Sequence, residues 1–306
     1  MKIVFMGNPD FAVLSLEELA ASNHDILAVV TNPPKPSGRG RKIIETPVAL
    51  CATELGLHVL QIDDLHTAKN KLLELKADVF AVVAYRILPK NIIAIPTHGA
   101  INLHGSLLPK YRGAAPIQWS LINGEKKTGL TTFFIEPNVD AGQVLLQKSI
   151  KINNDDDYGS LSKKMSKAGA ELFLETIDQL ATGSMECIPQ NDTKATKAPK
   201  ITPKMTMIDW NKSANDIHNL IRGLSPVPGA RTFINGKSLK IFKTDFINEH
   251  SSKEIGAVIN IEKEQFSVQS GSGQLIIKEV QLEGKKRMAS CDFLRGINID
   301  SSIVLG

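Results

Sequence analysis

No apolar run in this chain approaches the roughly eighteen residues that would cross a bilayer, so no membrane span is expected. The amino terminus has no cationic leader joined to an apolar core and enters a strand at once, so no signal peptide is expected. Cysteine is scarce: Cys51, Cys187 and Cys291 are three, far apart, with no Cys-x-x-Cys or histidine-partner spacing. That excludes a disulfide framework and a zinc site, and it fits reduced thiols in a cytoplasmic protein. The glycine-rich fingerprint of dinucleotide binding is missing as well. The turn after the first strand, Gly7-Asn8-Pro9-Asp10, has a single glycine, so neither a nicotinamide nor a flavin is expected. Charge of one sign is also lacking, since 36 Lys and Arg face 32 Asp and Glu for a net +4. A polyanion site must therefore be a local cluster and not a global field.

What is present is enough for two well-filled domains: 306 residues, of which 42% are hydrophobic and 22% charged. The first part alternates apolar runs and helical stretches. Ile3 to Met6, Ile26 to Val30, Leu57 to Leu60 and Val79 to Ala84 read as buried parallel strands. Asp10 is placed to cap the first helix, and helices are expected over Thr46 to Leu55, Ala68 to Leu75 and the residues after Pro116. Strands follow at Leu130 to Ile135 and Val144 to Ile152. Asn153 to Tyr158, with three aspartates in a row, reads as the solvated start of a long amphipathic helix running to about Ala181. Periodicity then fades and Lys, Thr and Pro accumulate, so 183–206 is expected to be a linker between domains at 1–182 and 207–306. Its lysines, Lys194, Lys197, Lys200 and Lys204, could line a nucleic-acid path or simply be solvated. After a helix near Ser213 to Leu224 come five short alternating segments: Ala230–Ile234, Ser238–Phe246, Gly256–Ile261, Phe266–Gln269 and Gln274–Leu282. That spacing predicts a small closed β-barrel.

The chemistry concentrates in Ile101 to Pro116, Ile-Asn-Leu-His-Gly-Ser-Leu-Leu-Pro-Lys-Tyr-Arg-Gly-Ala-Ala-Pro. Apolar Ile101 and Leu103 alternate with Asn102 and His104, so the two polar side chains share one face of a strand end, roughly 6.5–7 Å apart. Ligands of open α/β sheets bind outside the carboxyl ends of the strands. An amide donor and an imidazole at that address suit polarising a carbonyl and moving a proton, although an isolated Asn-x-His more often closes a turn and caps a loop. A second unusual stretch, Thr31 to Lys42, holds three prolines, two glycines and the positive charges Lys35, Arg39, Arg41 and Lys42. It reads as an irregular loop on the same rim, either a solvated surface or a cationic arm for a phosphate-rich substrate.

The run Asn-Leu-His-Gly-Ser-Leu-Leu-Pro-Lys-Tyr-Arg-Gly-Ala-Ala-Pro resembles the signature of the 10-formyltetrahydrofolate-dependent formyltransferases, most closely of those acting on methionyl-tRNA. The resemblance is strong over the first 180 residues or so and diffuse afterwards. It implies a Rossmann-like catalytic domain with a mostly parallel sheet, followed by a small OB-like barrel domain that binds tRNA. It implies that 10-formyltetrahydrofolate donates a formyl group to the amino group of methionine on initiator methionyl-tRNA through a tetrahedral intermediate, with no metal and with the enzyme as a monomer. Asn102, His104 and Asp140 would be catalytic, Asp140 because Asp140-Ala141-Gly142 falls on the family's Asp-x-Gly element. By itself Asp140 reads as an ordinary turn-forming aspartate. Ser106, Leu107, Leu108, Pro109 and Val139 would hold the folate together with Tyr85, Ile87 and Leu88. That last segment departs from the usual Tyr-Gly-x-Ile-Leu-Pro: it is one residue shorter and carries Arg86. The Gly-Arg-Gly-basic insertion with Lys35, Arg39, Arg41 and Lys42 would meet the tRNA acceptor stem.

Two rivals remain. A sugar formyltransferase acting on a UDP-linked amino sugar shares Asn-x-His and a second domain, but the basic arm and Ala114-Ala115 disfavour it. A catalytically silent RNA-binding scaffold would not need Asn102, His104 and Asp140 together.

Overall fold

The computed structural model describes every residue except 38–41, 250, 298 and 301, and leaves aside the side chains of Ser37 and Lys42. The strands of the first sheet are β1 (Lys2–Gly7), β2 (Asp25–Thr31), β5 (Val59–Gln61), β6 (Val79–Val83), β7 (Ala100–His104), β8 (Lys127–Phe134) and β9 (Val144–Lys151). Their order is β5-β2-β1-β6-β7-β8-β9. Pairing is parallel from β5 to β7 and turns antiparallel where β8 meets β7. The apolar runs explain this arrangement. β1 is buried from Ile3 onward and β6 throughout, as strands covered on both faces must be. Val4, Met6, Val30, Leu60, Phe80 and Val82 form one layer with Leu72, Leu88 and Ile92. β5 begins two residues later than its expected start at Leu57.

The helices of this part are α1 (Val13–Ala20), α2 (Pro47–Glu54), α3 (Lys69–Glu74), α4 (Lys90–Ile93), α5 (Pro116–Ile122) and α6 (Tyr158–Thr182). Thr46 caps α2 through its hydroxyl, which accepts from Ala49 N at 3.1 Å. Asp10 caps nothing; it lies inside a short 3-10 turn whose preceding residue, Pro9, offers no side-chain oxygen. The aspartates ahead of α6 are not all solvated either. Asp156 is buried, accepting from Asn153 N at 2.7 Å and from the Ser160 hydroxyl at 3.0 Å. The Pro- and Gly-rich stretch after β2 corrects a third expectation. Far from being irregular throughout, its described parts include β3 (Lys35–Ser37), which pairs antiparallel with β4 (Lys42–Ile44). Pro36 is tolerated because a two-strand ribbon is all edge.

Packing divides the chain into one unit of 1–116, 128–151 and 162–198 and another of 117–127, 152–161 and 199–306. The second unit is built on α7 (Ala214–Leu224) and an antiparallel sheet of β10 (Ala230–Ile234), β11 (Lys237–Ile247), β12 (Val258–Ile261), β13 (Phe266–Gln269) and β14 (Gln274–Leu282). The order is β10-β11-β14-β13-β12, with β15 (Met288–Ala289) beside β14 and α8 (Ser290–Gly296) after it. Among the described residues no pairing joins β10 to β12, so the sheet is open where a closed barrel was expected. Ser213 caps α7 at Asp216 N, and Ile217, Ile221 and Leu224 turn inward onto Leu239, Ile241, Phe266 and Leu275. Among the described residues no helix is long and apolar enough to cross a membrane.

Candidate active site

Strand β7 delivers Asn102 and His104 to its carboxyl end, where Gly105 opens the loop. Opposite them on β8 lie Phe133 and Thr131. His104 is 5% exposed, with the edge of its ring set at 88° to Phe133, centroids 6.3 Å apart. Its Nε2 lies 2.9 Å from the carbonyl oxygen of Tyr111. A carbonyl only accepts, so Nε2 carries hydrogen and Nδ1 is the nitrogen left to exchange a proton. Nδ1 faces Asp140 Oδ2 at 3.7 Å. That is too long for a hydrogen bond but close enough for strong attraction once the ring is protonated, because the carboxylate is only 15% exposed. Asp140 is aimed by the backbone of the signature loop: Gly113 N donates to Oδ2 at 2.8 Å.

Local conformation explains why this turn has its sequence. Asp140 takes φ +52°, a left-handed conformation that Asp tolerates better than most residues. At Gly142 a Cβ would stand 1.8 Å from the Phe134 carbonyl oxygen, so the turn demands glycine. The Asn102 side chain is half-buried, and among the described residues nothing hydrogen-bonds to its amide. It is free to donate to a bound oxygen.

The other expected site residues separate into groups. Asn102, His104 and Asp140 converge. Ser106 is fully buried and spends its hydroxyl on Lys110 O at 2.6 Å, closing the loop on itself. Leu108 packs with Phe133 and Val144, its amide held by the Thr131 hydroxyl at 3.1 Å and its carbonyl by Gln147 at 2.9 Å. Leu107 and Pro109 are half-buried beside it. Leu88 belongs to the core, whereas Ile87 is 75% and Val139 52% exposed. Tyr85 is half-buried, and burial pushes its phenol above the usual range, against the lowering effect of Arg86. Arg86 has contacts of its own. Its guanidinium donates to the Ile62 and Asp63 carbonyls and to the Tyr85 hydroxyl, tying two rim loops together. Lys35 is exposed on β3; Arg39 and Arg41 lie outside the described residues, as does the Lys42 side chain.

Sequence reasoning missed the backbone partners of the site. The Tyr111 carbonyl and Gly113 amide sit inside the signature, yet a main-chain group leaves no mark of its own in a sequence. It also missed the stretch 188–198. Ile188 bridges Val144, and Thr196 O and Ala198 N bond to the backbone of Arg112 at 2.9 and 2.7 Å.

Comparison with known proteins places the chain in a family. Residues 1–177 match the formyl transferase family and 200–298 the formyl transferase C-terminal domain. The methionyl-tRNA formyltransferase of Caldanaerobacter subterraneus subsp. tengcongensis is 45% identical over 309 residues, covering 100% of both chains. That of Ruminiclostridium cellulolyticum is 42% identical over 311, again covering both completely. The chain belongs to the methionyl-tRNA formyltransferase family. An N-formyltransferase from Helicobacter canadensis, solved with folinic acid and dTDP-3-aminofucose, shares the fold at TM-score 0.68, with 22% identity over 94% of this chain and 100% of its own.

Proposed function

We propose that this enzyme transfers the formyl group of 10-formyltetrahydrofolate to the α-amino group of methionine on initiator methionyl-tRNA. Full-length identity of 42–45% to methionyl-tRNA formyltransferases supports the acceptor. The single observation that carries the chemistry is the convergence of the Asn102 amide, the His104 imidazole and the Asp140 carboxylate at one strand end. Folate supplies the formyl group when bound, and the exposed Ile87 and Val139 and the loop at Ser106 to Pro109 are the residues that would hold it. Asn102 donates its amide hydrogens to the formyl oxygen as charge builds there. His104 Nδ1 moves the proton, and Asp140, held by Gly113 N, steadies the ring while it is cationic.

Acceptor recognition falls to the basic hairpin and the second unit. In this reading residues 1–182 form the body of the catalytic domain, completed by the strap at 188–198, and 207–306 form an OB-like tRNA-binding domain reached through the rest of 183–206. Labelled donor offered to the purified protein with methionyl initiator tRNA and a UDP-amino sugar in competition tests the assignment. Label on the tRNA alone is the expected result. Label on the sugar would support the rival acceptor, and none on either would leave a silent scaffold.

A further inference from the structure

His104 is gripped from both sides by residues in strained backbone. Tyr111, whose carbonyl accepts from Nε2, has φ +62°, and Asp140, which faces Nδ1, has φ +52°. Neither is glycine, and such conformations persist only where the surroundings over-determine them. The surroundings in both cases are the strap at 188–198. Thr196 Oγ1 accepts from Tyr111 N at 2.8 Å. Gln190 Nε2 donates to the carbonyls of Asp140 at 3.0 Å and Gly142 at 2.7 Å. The opposite end of the same amide accepts from Arg112 Nε at 3.1 Å and a terminal guanidinium nitrogen at 2.8 Å. Both donors and both lone pairs of Gln190 are therefore engaged, which only an amide could do at this position. Arg112 itself precedes Gly113, the residue that aims the Asp140 carboxylate, and is anchored further by Asp192 at 2.7 Å. A Cβ on Gly113 would come within 2.5 Å of the Ala198 carbonyl oxygen, so the strap lies directly against the signature loop.

From this arrangement we infer that Gln190 and Thr196 are positioning residues for formyl transfer: one strap sets both partners of the His104 ring by pinning the two left-handed residues that carry them. This rests on the function proposed above. Gln190 touches no reacting atom; it acts through Asp140. Removing it frees the Asp140–Gly142 turn to relax and carries the carboxylate away from Nδ1. Thr196 does the same on the Nε2 side.

A double-mutant cycle tests the inference. Gln190→Ala should lower kcat about tenfold or more while both KM values stay within threefold of wild type. In an Asp140→Ala background the same substitution should cost less than twofold, because residues acting as a unit are non-additive. Thr196→Val should lower kcat about tenfold, and Thr196→Ser, which keeps the acceptor oxygen, should restore it to within twofold. An unchanged kcat in Gln190→Ala, a tenfold loss that persists on the Asp140→Ala background, or a Thr196→Ser variant no better than Val would overturn it. The broader reading fails by a different signature, namely a wild-type enzyme that does not formylate methionyl-tRNA or an Asp140→Ala variant of full activity.

Discussion

In the proposed mechanism Asn102 and His104 do different work although they share one face of β7. Asn102→Ala removes the donor that the proposed mechanism uses only as charge develops on the formyl oxygen. It should cost about 10²–10³ in kcat with little change in KM, read by steady-state formylation of methionyl-tRNA. A variant keeping more than a third of the wild-type kcat would take Asn102 out of the mechanism. A second histidine makes a prediction about stability. His218 on α7 shares a hydrogen bond with Thr244 at 2.9 Å, and burial chiefly, helped by Arg222, pushes its imidazole down to about 4. Lys278 and Lys126 act in the same direction and Asp245 against it. Unfolded, the ring titrates near its ordinary value of about 6.5. Between those values the unfolded chain takes up a proton that the folded one refuses. Stability is therefore complete above about pH 6.5 and falls as pH drops toward 4. Both tryptophans, Trp119 and Trp210, lie in the second unit, so their fluorescence in urea reports it. His218→Gln should flatten the loss between pH 7 and 4.5 by up to about 3 kcal/mol. Parallel pH profiles for the two proteins would exclude His218 as the cause.

Among the elements, the turns next to the site are more demanding than the strands. Gly142→Ala would force a Cβ into the Phe134 carbonyl, so both activity and melting temperature should fall. Gly56, with φ +69° and open space around it, is the control: Gly56→Ala should cost about 1 kcal/mol of stability and leave kcat unchanged. Equal kcat values for the two variants would show that the turn does not aim Asp140. The strands themselves were legible. β10, β13 and β14 begin and end where alternation and turn residues place them, because period-2 patterning between glycines and charged pairs is unambiguous. The hairpin of β3 and β4 was not, since Pro36 disguises a ribbon with no ladder partner beyond itself. The strap at 188–198 was also invisible. Half of its bonds run through main-chain groups, which leave no mark in a sequence, and its Lys- and Thr-rich composition is that of a loose tether.

For the molecule as a whole, a net charge of +4 gives little general attraction for RNA, so recognition must come from local clusters. Replacing Lys35, Arg39, Arg41 and Lys42 with alanine should weaken tRNA binding. The log–log salt slope should flatten by about 0.7–0.9 for each phosphate no longer neutralised, while the rate of transfer from bound tRNA stays as it was. An unchanged slope would move recognition away from the hairpin. That the chain forms two units, and that Asn102, His104 and Asp140 meet at one strand end, could be read from sequence because side-chain chemistry repeats in order along a signature. The open pairing of the second sheet could not, because strand spacing reports how many strands there are and not whether the last meets the first. The most direct test of the central claim is single-turnover transfer of labelled formyl from 10-formyltetrahydrofolate to methionyl-tRNA by His104→Ala. With its fold verified by circular dichroism, this variant should transfer about 10²–10⁴ times more slowly than wild type. Transfer within threefold of the wild-type rate would mean that the imidazole at the end of β7 does not move the proton.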